Sequence, residues 1–319
     1  MEAIFLSTTD SIYERQNEQQ LLKCIAAQRK EYDKAKRRGL CKDILTAIFA
    51  LLSIISSWID NDVMTAITFL FAGMTSFASK YIDIHVHKHK NVAAVTQQYV
   101  DVTLYNFVLN DKVGSWGNIP TEHELAETIS IVTDKDIERV KNWYSDYSDL
   151  QPIKQVFCCQ KENLRWDIRL RQEFKYFLFV VNGLVFLLLV IAAFKINPSL
   201  IKSLCVMSWL LPLIDFLYSY LKELEKDIER LQKLKAKSEE IDKTISRKDF
   251  CTLRFDSQKV QQVRTALIEL QKGIFEHREK STLIPNWFYK IRQKSHQVRE
   301  DRIADEVKNM SVGSDKNET

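Results

Sequence analysis

Charged and apolar positions are segregated along this chain. Between charged residues lie four long uncharged runs: Ile44 to Ile59, Val63 to Ser79, Tyr176 to Phe194, and Ser203 to Leu221, broken only at Asp215. A helix that crosses a bilayer needs about 20 apolar residues, within a range of about 17 to 25. The third run qualifies alone, and the first two are marginal. Pairing strengthens them: only Asp60, Asn61 and Asp62 separate the first two, and Lys195 to Lys202, with Asn197 and Pro198 inside, separates the last two. Each pair reads as a tight helical hairpin. The pattern predicts an all-α integral membrane protein with two transmembrane hairpins, four spans in all, and a helical cytoplasmic assembly. The rival reading of the marginal runs is burial inside a soluble core.

Flanking charge sets the expected orientation. Lys34, Lys36, Arg37, Arg38 and Lys42 precede the first span, and Lys80, Lys88 and Lys90 follow the second. Arg165, Arg169, Arg171 and Lys175 precede the third, while Lys222, Lys226 and Arg230 follow the fourth. By the positive-inside rule both hairpins enter from and return to the cytoplasm, despite Lys195 and Lys202 in the second turn. Both termini are then cytoplasmic. No cleavable signal peptide is expected, because no early apolar stretch of adequate length precedes the first run.

The polar remainder divides around these hairpins. Residues 1–42 form an N-terminal arm, 43–83 the first hairpin, 84–172 a middle region, 173–221 the second hairpin, 222–310 a C-terminal stalk and hairpin, and 311–319 a disordered tail. In the arm, Leu22, Ile25, Ala26 and Arg29 fall at helical spacing, predicting one amphipathic helix from Ser11 to Arg38. The middle region is helical over Val92 to Leu109, loops through Gly114, Gly117 and Pro120, and starts a helix near Thr133, with Asp136 at capping-box spacing. In the stalk, Leu221, Leu224, Ile228, Leu231 and Leu234 form one stripe, and Val260, Val263, Leu267, Leu270 and Ile274 another. Steps of three and four suit a packed or coiled helix pair, folded back within the chain or coiled with another copy.

Composition alone hides this organisation. The chain has 319 residues, 46 Lys+Arg against 42 Asp+Glu, 45% hydrophobic residues and a mean hydropathy of −0.23, values of an ordinary globular protein. Only 7 Gly and 5 Pro occur, and no glycine-rich phosphate cradle is present, which argues against nucleotide hydrolysis. Six cysteines without a C-x-x-C pair suit a reducing compartment. His85, His87 and His89 alternate, so on a helix they diverge and bind no common metal. Cys158 and Cys159 read as apolar packing, and no Ser-His-Asp or paired-carboxylate set can be placed. Neither an enzyme nor a metal or cofactor is expected.

Three blocks of sequence carry a resemblance. Arg15-Gln16-Asn17 is followed by Ala27-Gln28-Arg29 with Tyr32, Ala35 and Lys36; Cys159-Gln160 by Asn163, Trp166-Asp167 and Leu170-Arg171; and Arg278 by Ile284-Pro285-Asn286-Trp287-Phe288-Tyr289 and Arg292. With the two-hairpin layout, these resemble the SMODS-associated four-transmembrane effector family from about residue 10 to 305. The resemblance implies a pore-forming inner-membrane effector of bacterial cyclic-oligonucleotide-based antiphage signalling (CBASS), acting by membrane disruption. It implies a cyclic di- or trinucleotide as activating ligand, and the lipid bilayer and other copies of the chain as partners. No nucleic-acid polymer is expected. The other classes are a constitutive membrane scaffold or adaptor and a small ion-conducting subunit without nucleotide input.

Side chains for these roles can be named. Small or hydroxyl-bearing faces run through the first span at Ser53, the second at Thr65, Thr68 and Thr75, and the fourth at Ser208, Pro212, Asp215 and Ser219. Such faces either line a pore or pack helices closely. A carboxylate at bilayer depth costs about 2.5 to 3.5 kcal/mol on insertion scales, so Asp215 faces a bundle interior or reaches the headgroups beside Lys222. Pro212 removes a helix hydrogen bond and is a candidate hinge. Phosphate and bases call for Arg, Lys and aromatic faces: Arg29, Tyr32, Lys36, Arg171, Arg278, Trp287, Tyr289 and Arg292, with Trp166 and Phe288 beside them. The alternative is that these aromatics anchor the core and Asp167 pairs with Arg171 along one helix.

Overall fold

The computed structural model describes residues 11–58, 62–110, 116–196, 200–247 and 257–316; along its helices, the side chains of 50, 51, 53–58, 62, 65, 185, 188–190, 192–196, 200–216 and 311–316 lie outside that description. Among the described residues the regular structure is helical throughout: α1 Ile12–Arg15, α2 Gln19–Trp58, α3 Asp62–Leu109, α4 Glu122–Ile129, α5 Asp134–Glu138, α6 Pro152–Ile196, α7 Leu200–Ile245, α8 Gln258–Lys280 and α9 Asn286–Lys316. The scarcity of Gly and Pro leaves little to break the four long helices. Where breaks occur they have local causes. Asn110 stops α3 at φ 45°, a left-handed conformation that Asn tolerates, and Pro152 opens α6 where its missing N–H costs nothing.

Two antiparallel pairs, α2 with α3 and α6 with α7, form the frame. Lys42 meets Asp83 at 2.7 Å and Glu31 meets His89 at 2.5 Å across the first pair. Its polar half, with the polar half of the second pair and with α8, encloses the main core, where Ile25, Leu104, Tyr105, Trp116, Tyr144, Leu164, Leu231 and Leu267 are buried. A second cluster of Leu170, Phe174, Leu224, Ile284 and Phe288 closes the bundle toward the apolar halves. Both stalk stripes pack within the chain, buried throughout except at the half-buried Leu221. Leu234 packs against Gly273, where an added Cβ would clash with a Leu234 methyl, and Asp227 meets Thr282, so α7 and α8 run antiparallel.

The arm is two helices rather than one. Ser11 and Glu14 form a capping box that starts α1. The chain turns after it because Gln16, buried, exchanges two hydrogen bonds with the Tyr144 backbone (2.7 and 3.1 Å), while the Ile12 N–H donates to Gln155. Thr133 and Asp136 do begin a short helix, the Thr133 N–H donating to the carboxylate at 2.9 Å. A second box, Thr121 with Glu124, begins α4, an element the sequence reading passes over. The region bounds read from the sequence at 42/43, 83/84, 172/173 and 221/222 fall inside continuous helices, and α9 continues past Ser311 to Lys316.

Beyond the core the long helices carry their apolar side chains into the open. Phe69 and Phe77 on α3 are 80% and 77% exposed, and Phe179 and Phe186 on α6 are also exposed, whereas Thr68 and Thr75 are buried. Among the described residues no helix is long and apolar enough to cross a membrane. That differs from the four spans read from the sequence, and much of the third and fourth runs and the first hairpin tip falls on side chains outside the description.

Candidate functional site

A buried polar network organises the bundle. Asp101 on α3, 1% exposed, accepts from the Tyr144 hydroxyl at 2.7 Å, from Gln271 at 2.9 Å and from Arg278 at 2.6 Å. Burial alone would loosen the Arg278 proton, but the Asp101 carboxylate holds it more firmly than usual. Tyr105 and Asn163 converge on the same Tyr144 hydroxyl, at 2.9 and 2.8 Å. Such a network specifies one arrangement of α3, α6 and α8 only because its members satisfy one another.

A second network ties the connection between α8 and α9. Arg171 on α6, nearly fully buried, donates to Asp227 on α7 at 2.7 Å and to the Thr282 carbonyl at 2.9 Å, and its Nε lies 2.9 Å from Asp167. Asp227 also accepts the Thr282 N–H at 2.7 Å. The Tyr220 hydroxyl donates to the Leu283 carbonyl at 2.9 Å, and Asn286 donates to Asp33 on α2 at 2.8 Å. His277 Nε2 lies 2.9 Å from the other Asp167 oxygen. Burial would raise the Asp167 carboxyl, yet Arg171 and His277 hold it well below the usual carboxylate range.

Between these networks lies a cavity of about 210 Å³ walled by α2, α6, α8 and α9. Six of the eight side chains proposed for ligand binding from sequence line it: Arg29, Tyr32, Lys36, Arg171, Arg278 and Tyr289, joined by Trp166. The Lys36 ammonium sits 5.1 Å from the Tyr289 ring centre, a cation–π distance, and burial pushes its pKa down to about 8. The Tyr32 hydroxyl, raised to about 12 by burial, donates to Gln97 at 3.3 Å. Arg171 and Arg278 are already ion-paired, whereas Arg29, Lys36 and Lys290 have no ion pair with any described residue. A wider cavity of about 530 Å³ adjoins it and shares Arg29, Trp143, Asn163, Trp166 and Tyr289.

Two sequence candidates lie elsewhere. Trp287 packs edge-on to Phe177 at 5.3 Å and to Phe288 at 5.6 Å, as an anchor beside the second core cluster. Arg292 points to Glu173 at 3.2 Å. Helical phase explains Trp287, which lies about 160° around the helix from Tyr289; Arg292 is about 60° from it and is drawn off by Glu173. Sequence reasoning passes over Asp33, His277, Asn286 and Lys290, which also line the cavity; polar residues on charged helices carry no periodic signal.

Of the pore and gating candidates, Ser219 is exposed, while Thr68 and Thr75 face inward. The Thr68 hydroxyl donates to the Met64 carbonyl at 2.8 Å, and Thr75 to Phe71, so both are satisfied within α3 itself. α7 is helical through Pro212; the side chains of Ser53, Thr65, Ser208, Pro212 and Asp215 lie outside the described residues. Among the described residues no cluster of His, Cys, Asp and Glu could hold a metal, and burial pushes the Cys158 thiol up to about 12, away from reactivity.

The described residues thus form a helical bundle whose cationic and aromatic cavity is built on helices that continue into exposed apolar stretches. The chain belongs to the SMODS-associating 4TM effector domain family, whose model matches residues 10–307. It is similar to a protein of Bacillus cereus (strain VD146) described as a probable CBASS effector molecule, 27% identical over 293 residues, covering 88% of this chain and 92% of that one. No solved structure matches.

Proposed function

We propose that this chain is a CBASS effector of antiphage defence that binds a cyclic di- or trinucleotide in the α2–α6–α8–α9 cavity and responds by disrupting the bacterial inner membrane. The observation that carries the reading is the convergence of Arg29, Tyr32, Lys36, Arg171, Arg278, Tyr289 and Trp166, from three distant parts of the sequence, on one cavity. Arg29, Lys36 and Lys290 supply cations that no described carboxylate has claimed, which suits phosphodiesters, and the aromatic rings suit bases. The inner cavity is smaller than the roughly 300–1,000 Å³ usual for small-molecule sites. A dinucleotide spans it and the adjoining cavity, and binds more tightly to an arrangement in which the wall between them opens. That difference in affinity is what shifts the population toward the active state.

The response passes along continuous helices. α2 carries Arg29, Tyr32 and Lys36 and runs on to Trp58; α6 carries Trp166 and Arg171 and runs on to Ile196. Their exposed apolar side chains exceed what a water-facing surface ordinarily presents, which supports two hairpins that enter the bilayer from the cytoplasm. Four helices are too few for a wide pore, so several chains assemble. In this role the protein catalyses no reaction and needs no cofactor.

Dye-loaded liposomes carrying the full chain test this: a cyclic di- or trinucleotide is expected to trigger release that Lys36→Ala abolishes. No binding and no release with any such nucleotide would remove the reading. The pH dependence is specific. The charged ammonium of Lys36 holds phosphate, so affinity measured by calorimetry is expected to stay level below neutrality and to fall as pH rises through about 8. Lys36→Arg, which does not deprotonate in this range, is expected to flatten the profile.

A further inference from the structure

Lys90 on α3 is 5% exposed and has no hydrogen bond or ion pair with any described residue. A buried ammonium without a partner is costly, and its pKa is pushed down to about 8, chiefly by that burial. It lines a cavity of about 420 Å³ that adjoins the inner cavity above, sharing Lys36, Ser281, Thr282 and Leu283 with it, and that also carries the hydroxyl of Ser219. The carboxylates there are largely taken: Asp83 by Lys42 at 2.7 Å and Glu223 by Lys226 at 2.6 Å. Asp43 remains, half-buried, its carboxyl pushed up to about 6 by burial. The cavity therefore presents Lys90 unclaimed, beside the Lys36 it shares with the nucleotide cavity, and a single unclaimed carboxyl.

Its level along the helices identifies the visitor. Immediately beyond it the exposed apolar side chains begin, with Leu40 and Ile44 on α2 and Ile84 on α3, and at that level Tyr81, Tyr176 and Tyr218 on three different helices are all exposed. Exposed tyrosines where polar helix gives way to apolar helix mark headgroup depth.

We propose that this cavity seats the phosphate of an anionic glycerophospholipid, ion-paired by Lys90, with the acyl chains along the exposed faces of α2 and α3. A soluble phosphate shares the headgroup's chemistry but not the apolar continuation. The inference rests on the membrane reading above, and Lys90 lies outside the nucleotide cavity.

The test uses delipidated full chain in neutral detergent, titrated with phosphatidylglycerol, phosphatidylcholine or inorganic phosphate and followed by native mass spectrometry and thermal melting. Phosphatidylglycerol is expected to bind and raise the melting temperature; phosphatidylcholine and phosphate are expected to do neither. Lys90→Met is expected to lose about tenfold or more in phosphatidylglycerol affinity, and Lys90→Arg to keep most of it. Without lipid, Lys90→Met is expected to melt above wild type, because an uncompensated charge has left the interior, which separates lost binding from lost folding. Wild-type affinity in Lys90→Met, or inorganic phosphate binding as well as phosphatidylglycerol, would overturn the proposal. Nucleotide-triggered dye release without phosphatidylglycerol binding would defeat this inference alone, whereas a chain that does not enter bilayers would defeat both.

Discussion

Arg171→Met is expected to destabilise the fold by about 3 to 5 kcal/mol, the range for breaking a buried ion pair from one side. Arg171 is 6% exposed at its side chain and serves Asp227, Asp167 and the Thr282 carbonyl at once. Methionine fills much of the same volume, so the loss is electrostatic rather than a cavity. Asp227, fully buried, keeps Arg230 and the Thr282 N–H; among the described residues Asp167 keeps His277 alone. Arg171→Lys restores a charge but cannot fork to three acceptors, and is expected to recover part of the loss. The control is Arg292→Ala, whose half-exposed pair with Glu173 is expected to cost about 1 kcal/mol or less. Denaturant unfolding of the detergent-solubilised chain reads all three.

The second large effect is a pH dependence centred on Glu162. This carboxyl on α6 is 4% exposed, and burial, with Glu300 adding to it, pushes its pKa up to about 7 against the opposing hydrogen bond from the Ser145 N–H. In the unfolded chain it titrates near 4.3. Between those values the folded state holds a proton that the unfolded state has released, so stability falls as pH rises, by about 1.4 kcal/mol per unit and about 3.7 kcal/mol in all. Glu162→Gln keeps an acceptor for Ser145 without a charge. It is expected to stabilise by about 1 kcal/mol at pH 5 and by about 3 to 4 kcal/mol at pH 8, on the same linkage, in melts across that range. Asp167 works in the opposite direction: its lowered pKa stabilises the fold above about pH 4 and loses that contribution only below. The two windows do not overlap.

The helices were largely legible from sequence, because burial on one face imposes a period that survives without knowledge of the partner. Leu22, Ile25 and Ala26 are in the core, as are Val260, Val263, Leu267, Leu270 and Ile274. The break after α1 was not legible, since it depends on Gln16 reaching Tyr144 across 128 positions. The ligand-binding candidates were legible as residue types in blocks, and six of eight share one cavity; Trp287 differs because residue type ignores helical phase, and Arg292 because Glu173 on α6 pairs with it. Lys90 illustrates the limit. In sequence it counts among the flanking cations after the second apolar run, equivalent to Lys80 and Lys88, and only the packing of α3 against its neighbours withdraws it from solvent.

The segment Ser281–Pro285 is pinned by Arg171 from α6, by Asp227 and Tyr220 from α7, and, one residue on, through Asn286 to Asp33 of α2. Three long levers thus share one knot. A lever that moved alone would leave a buried carboxylate or carbonyl unsatisfied at the knot, so partial displacements are penalised and concerted ones favoured. In the proposed role that geometry sets a threshold: weak or transient occupancy leaves the device silent, and firing is cooperative within a single chain before any assembly between chains begins.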